Sequence, residues 1–104
     1  MTFAQQGDIL WLEKNAQYVL VLSREFFNQS GMAVVCPLRD SAEPDALHIE
    51  ISCEAYRGTA LLEHLRSLDL QARHYRRISS ISYEQIQDIS DAVQGIFDYY
   101  PYSL

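Results

Sequence analysis

Residues 18–38 read YVLVLSREFFNQSGMAVVCPL, and this stretch decides the fold. Tyr18 to Ser23 is a continuous apolar run of the kind expected for a strand buried on both faces. Ser23 is a good N-cap for a short helical turn, REFFNQS, which Gly31 stops. MAVVCPL follows as another strand, and Pro37 places its end near a sheet edge or a bend.

Working outward, GDILWLE (Gly7 to Glu13) precedes this core as a first strand, joined to it only by the short turn KNAQ. Beyond the core, RDSAEPDA is a polar loop with a proline. LHIEISCE then alternates, with Leu47, Ile49, Ile51 and Cys53 on one side and His48, Glu50, Ser52 and Glu54 on the other, as in a half-exposed antiparallel strand. YRG reads as the next turn. TALLEHLRSLD is helix or strand, since short apolar runs do not decide the matter. ARHYRRI reads as a last short strand. Ser82 followed by Gln85 makes a capping box, and Ile86, Ile89, Val93 and Ile96 or Phe97 give a helical stripe to about Asp98, with Pro101 ending it. The expected fold is mostly β, a small barrel with one long C-terminal helix and short connecting helices.

Composition narrows the class. At 104 residues and 48% hydrophobic, the chain is expected to be one domain, residues 1–104, with a modest core that a dimer would supplement. No apolar run approaches the roughly 20 residues needed to cross a bilayer, and the N-terminus lacks the pattern of a signal peptide, so a cytoplasmic protein is expected. Cys36 and Cys53 lie in apolar runs and read as small buried hydrophobes. Neither they nor the three histidines have metal-ligand spacing, so no metal or cofactor is implied. The net charge of −6 argues against a broad phosphate-binding surface. One local patch is basic, with His64, Arg66, Arg73, His74, Arg76 and Arg77 opposed only by Asp69.

GDILWLE, VLVLSREFFNQSGMAVVCPL, LHIEI and LLEHLRSLD, in this order and ending on an amphipathic helix, resemble the MazF/PemK family of toxins. The resemblance runs from Gly7 to Phe97, and the FNQSG…VVCPL centre carries most of it. It implies an SH3-like barrel, shared with CcdB and Kid, acting as a homodimer from a toxin–antitoxin pair. Most members are metal-independent endoribonucleases that cut single-stranded RNA at short sequences and leave a cyclic phosphate. A cognate antitoxin blocks them. CcdB, of the same fold, poisons DNA gyrase instead, but QGIFDYYPYSL lacks the last-helix features on which that mode depends.

The chain departs from the family at two places. An arginine normally ends a long loop before the second strand, where this chain has Ala16 and Gln17 after a short turn. A threonine normally follows the CPI run, where this chain has Arg39 and Asp40. Cleavage through the 2′-hydroxyl requires a base, an acid and a cation to hold the phosphorane. Arg39, Glu63 and His64 supply those chemistries, with Glu63 at the family's aspartate position. Arg66, Arg73, Arg76 and Arg77 are the candidate RNA contacts. Each has a plainer alternative: Arg39 as a solvated loop charge, Glu63 and Arg66 as an ion pair, and Arg73, Arg76 and Arg77 as guards of a sheet edge. Tyr99, Tyr100 and Tyr102 read as core or dimer-contact residues ahead of a base-stacking platform. The alternative function is a non-cleaving toxin fold that works by binding a protein, either the antitoxin or another target.

Overall fold

The computed structural model describes residues 3–98. Tyr99, Tyr100, Pro101 and Tyr102 lie outside them. Among the described residues the strands are β1 (Asp8–Leu12), β2 (Gln17–Val21), β3 (Met32–Arg39), β4 (His48–Cys53), β5 (Tyr56–Leu61), β6 (Arg66–Asp69) and β7 (Tyr75–Ser80). A one-turn helix α1 (Glu25–Asn28) joins β2 to β3, and α2 (Tyr83–Phe97) follows β7. The strands form one antiparallel sheet in the order β4-β5-β3-β2-β1-β7, with β6 also paired to β3, curled into a half-barrel. This is the expected mostly β architecture with a C-terminal helix.

The apolar run in β2 does what its pattern predicts. Val19, Leu20 and Val21 are all at most 1% exposed because both faces of the sheet are covered. On one face Ile9, Leu20 and Cys36 pack with Ile51, Leu62 and Ile89, bringing in the β4–β5 hairpin and α2. On the other, Leu10, Val19 and Val35 pack with Leu12, Leu68 and Leu70.

Pro37 marks a break in a central strand rather than a sheet edge. Met32 to Val35 pair with β6, whereas Leu38 and Arg39 pair with β5. Between them Pro37 has no N–H to donate. The segment paired with β3 leaves the ladder there through a 3-10 turn, Leu62–His64. The segment left open between helix and strand is therefore strand, turn and strand. The expected YRG turn is corrected as well: Tyr56, Arg57 and Gly58 lie inside β5, and the hairpin reverses at Glu54 and Ala55.

The caps show which local signals the tertiary structure uses. Ser23 does not cap α1. Its hydroxyl accepts from the Val34 N–H (2.8 Å) and donates to Asn28 Oδ1 (2.5 Å), and Arg24 occupies the cap position. Ser82 does cap α2, accepting from the Gln85 N–H at 3.2 Å. Gln85 does not return the bond, and its Oε1 is buried without a partner. Along α2, Ile89 is buried and Ile86 and Val93 pack on the core, but Phe97 is 69% exposed on a last turn that reaches past it.

Candidate functional site

The 3-10 turn opposite Pro37 lifts Glu63 and His64 out of the sheet into a groove of about 520 Å³. Gln17, Arg39 and Arg66 complete its polar lining. Arg39, Glu63 and His64, distant in sequence, are therefore brought to one groove, and Arg66 with them. Across Gln17 and Arg39 the groove continues into a hollow of about 580 Å³ over Trp11, Tyr18 and Asp40. Trp11 and Tyr18 pack with ring centroids 4.7 Å apart, and Tyr18 meets Tyr56 at 4.9 Å, so a short aromatic row runs beside the cationic wall.

Glu63 has a partner that the sequence did not reveal. His48 Nε2 donates to Glu63 Oε2 at 2.5 Å, while Nδ1 donates to the Glu43 carbonyl at 3.0 Å and lies 3.3 Å from Asp45 Oδ2. With acceptors on both ring nitrogens, foremost the Glu43 carbonyl and then Glu63, the imidazole holds its proton above the ordinary histidine range. Partial desolvation would by itself raise the Glu63 carboxyl, but the hydrogen bond from His48 outweighs it and holds the group below its usual value. The Glu63–Arg66 ion pair is not formed. Nothing local marked His48, which reads as one exposed residue of an alternating strand. The β4–β5 register sets it opposite Leu61, two residues from Glu63.

The arginines divide into two groups. Among the described residues Arg39 and Arg66 make no ion pair or side-chain hydrogen bond. Arg73 is held by Asn15 (3.1 Å), Arg76 by Glu13 (3.4 Å), and Arg77 by the buried Asp8 carboxylate (3.0 Å). Arg76 is in register with Trp11 and Arg77 with Leu10, so they face opposite sides of β7. The run that looks like one basic patch in sequence is dispersed, and among the described residues only His64 and Arg66 of it line the groove. Burial pushes the Cys36 thiol up to about 12, with Glu63 adding to the effect, which leaves it inert. No His, Cys, Asp and Glu cluster suited to a metal ion occurs among the described residues.

The comparisons with known proteins agree with this architecture. A family model described as PemK-like, MazF-like toxin of type II toxin–antitoxin system matches residues 5–97. The endoribonuclease toxin ChpB of Escherichia coli is 30% identical over 84 residues, covering 76% of this chain and 72% of that protein. A MazE–MazF structure from Deinococcus radiodurans superposes with a TM-score of 0.83 at 20% identity, covering 93% of this chain and 98% of its own. An endoribonuclease from a mycobacterial species does so at 0.81 and 12% identity, covering 93% of each chain. With the family model matching residues 5–97, nearly the whole chain, the protein belongs to the PemK-like, MazF-like family of type II toxin–antitoxin toxins.

Proposed function

We propose that this toxin cuts single-stranded RNA in the groove between Arg39 and Arg66, without a metal. The observation that carries the reading is the pair of unpartnered guanidiniums flanking an ionised carboxylate and an imidazole. In the reaction the 2′-oxygen attacks phosphorus, the bond to the 5′-oxygen breaks, and a 2′,3′-cyclic phosphate and a 5′-hydroxyl result. Glu63 accepts the 2′-hydroxyl proton and His64 protonates the leaving oxygen. Arg39 and Arg66 hold the phosphorane. Arg39 stands where the family's threonine follows the CPI run, and the two guanidiniums together take the part of that threonine and of the arginine missing before β2. The aromatic row at Trp11 and Tyr18 gives adjacent bases a stacking surface.

The toxin domain, residues 1–104, acts as a cytoplasmic homodimer held in check by an antitoxin. The solved MazE–MazF complex of similar fold supports an antitoxin partner. Among the described residues no helix is long and apolar enough to cross a membrane. A second reading, a non-cleaving toxin that acts by protein binding, is favoured by the exposed Ile96 and Phe97 on the last turn of α2.

Incubating a long single-stranded RNA with the purified protein in chelator decides between them. Cleavage that falls by about a hundred- to a thousandfold in Arg39→Ala, and likewise in His64→Ala, is the expected result. A folded protein that leaves RNA intact at high concentration retires the ribonuclease reading in favour of protein binding.

A further inference from the structure

The hollow over Trp11 does not end at Asp40 and Ser41. Both residues also line a third cavity of about 350 Å³ between the β3–β4 loop, the β4–β5 hairpin and the start of α2. Glu50, Arg57, Thr59 and Gln85 form its polar wall. At this volume it falls at the lower end of the range for small-molecule pockets, enough for one planar base.

Its polar groups are unusually short of partners. Thr59 is only 3% exposed and turns a hydroxyl-bearing side chain to the lining of the cavity. Gln85 Oε1 is buried and unpaired, the acceptor left over when the capping box formed only one of its two bonds. The Tyr56 hydroxyl is also buried and unpaired, and it abuts Gly58 on the cavity floor, where an added Cβ would come within 2.5 Å of it. Asp40, Glu50 and Arg57 enter no ion pair among the described residues. Buried polar atoms left unmatched are costly, so such a set is explained by a guest that completes it.

Acceptors dominate, and that selects the guest. Two carboxylates and an amide oxygen call for neighbouring N–H donors, and the Thr59 hydroxyl can donate to one acceptor. The Watson–Crick edge of guanine offers N1–H and N2–H side by side with O6 next to them. Uracil sets two carbonyls around a single N–H, and these would face the carboxylates. Cytosine and adenine place a ring acceptor beside their amine. Phosphate is disfavoured here except next to Arg57.

We propose that this cavity is a base-reading subsite that takes a guanine from the RNA strand lying in the groove, with Glu50, Thr59 and Gln85 as the specificity-determining residues. This rests on the ribonuclease reading, but binding tests it independently of cleavage. In a ¹H–¹⁵N titration of the full chain with guanosine and uridine 5′-monophosphates, the amides of Thr59 and Gln85 respond saturably. Guanosine monophosphate binds roughly tenfold to a hundredfold tighter than the uridine nucleotide. Gln85→Leu and the solvent-facing Glu50→Gln abolish most of that preference while the rest of the spectrum stays unchanged. Equal response to both nucleotides, no response, or a preference that survives both substitutions overturns the subsite. RNA cleavage without guanine selection retires the subsite and leaves the ribonuclease reading standing. Guanine-selective binding without cleavage does the reverse.

Discussion

Replacing Asn28 with alanine is the sharpest test of how the FNQSG segment builds this fold. Asn28 is 3% exposed, and its side chain bonds three groups in two other segments. Nδ2 donates to the Ala4 carbonyl at 2.7 Å and to the Ser23 carbonyl at 3.0 Å, while Oδ1 accepts from the Ser23 hydroxyl at 2.5 Å. That hydroxyl in turn holds the Val34 N–H of β3. At about 1 kcal/mol net for each lost bond, the substitution removes about 3 kcal/mol. For a domain of this size that corresponds to roughly 12 to 24 °C in melting temperature. Urea unfolding followed by the fluorescence of Trp11 should show the midpoint falling with an unchanged slope. Asn28→Asp separates hydrogen bonding from volume. It keeps the size but turns a donor into an acceptor facing two carbonyls. It should be at least as damaging as alanine above neutral pH. It should recover partly in acid, because a carboxyl whose folded pKa is raised is least harmful when protonated. A loss below about 1 kcal/mol for alanine, or an aspartate variant as stable as wild type at alkaline pH, would refute the argument.

Three further outcomes follow from other parts of the structure. Ala16 has φ of +49° in the turn between β1 and β2, so Ala16→Gly should raise stability by about 0.5–1 kcal/mol in the same unfolding assay, the strain relieved exceeding the entropy added to the unfolded chain. Arg77→Ala leaves the buried Asp8 carboxylate without its guanidinium and should cost about 1–3 kcal/mol of stability while RNA affinity, read by fluorescence anisotropy, is unchanged; Arg66→Ala should show the opposite pattern. His48→Gln should destabilise most between the ordinary Glu and His values of 4.5 and 6.5. The raised His48 pKa contributes stability that disappears as pH rises through its folded value, and the lowered Glu63 pKa contributes stability that disappears as pH falls through its own. Urea midpoints at about pH 5.5 and about pH 8.5 should therefore differ between wild type and variant most at the lower pH.

The charge balance of the groove is compatible with the proposed binding of RNA by an acidic protein. The chain's net charge of −6 leaves room for a small cationic site because Arg76 and Arg77 are paired with Glu13 and Asp8, while Arg39 and Arg66 have no ion-pair partner among the described residues. Affinity from so few phosphate contacts is low and weakly salt-dependent. On the proposed reading, stacking and base reading supply much of the selectivity.

Much of this fold was legible in local pattern, because burial on two faces, alternation and helical periodicity are properties of neighbouring residues. The apolar run in β2, the alternating β4, the Ser82 cap and the stripe on α2 as far as Val93 formed as their sequences indicate. The short apolar run 59–69 did not decide its own structure. Pro37, far away in sequence, broke the ladder of the strand it pairs with and turned the run into strand, turn and strand. The same holds for the site. The sequence could nominate Arg39, Glu63 and His64 by chemical type. Only strand register placed His48 on Glu63, separated Arg76 from Arg77 by the pleat, and carried Ser23 from helix cap to sheet clasp. Pairing across the sheet is set by which faces must be buried together, and that is a property of the whole chain rather than of any window in it.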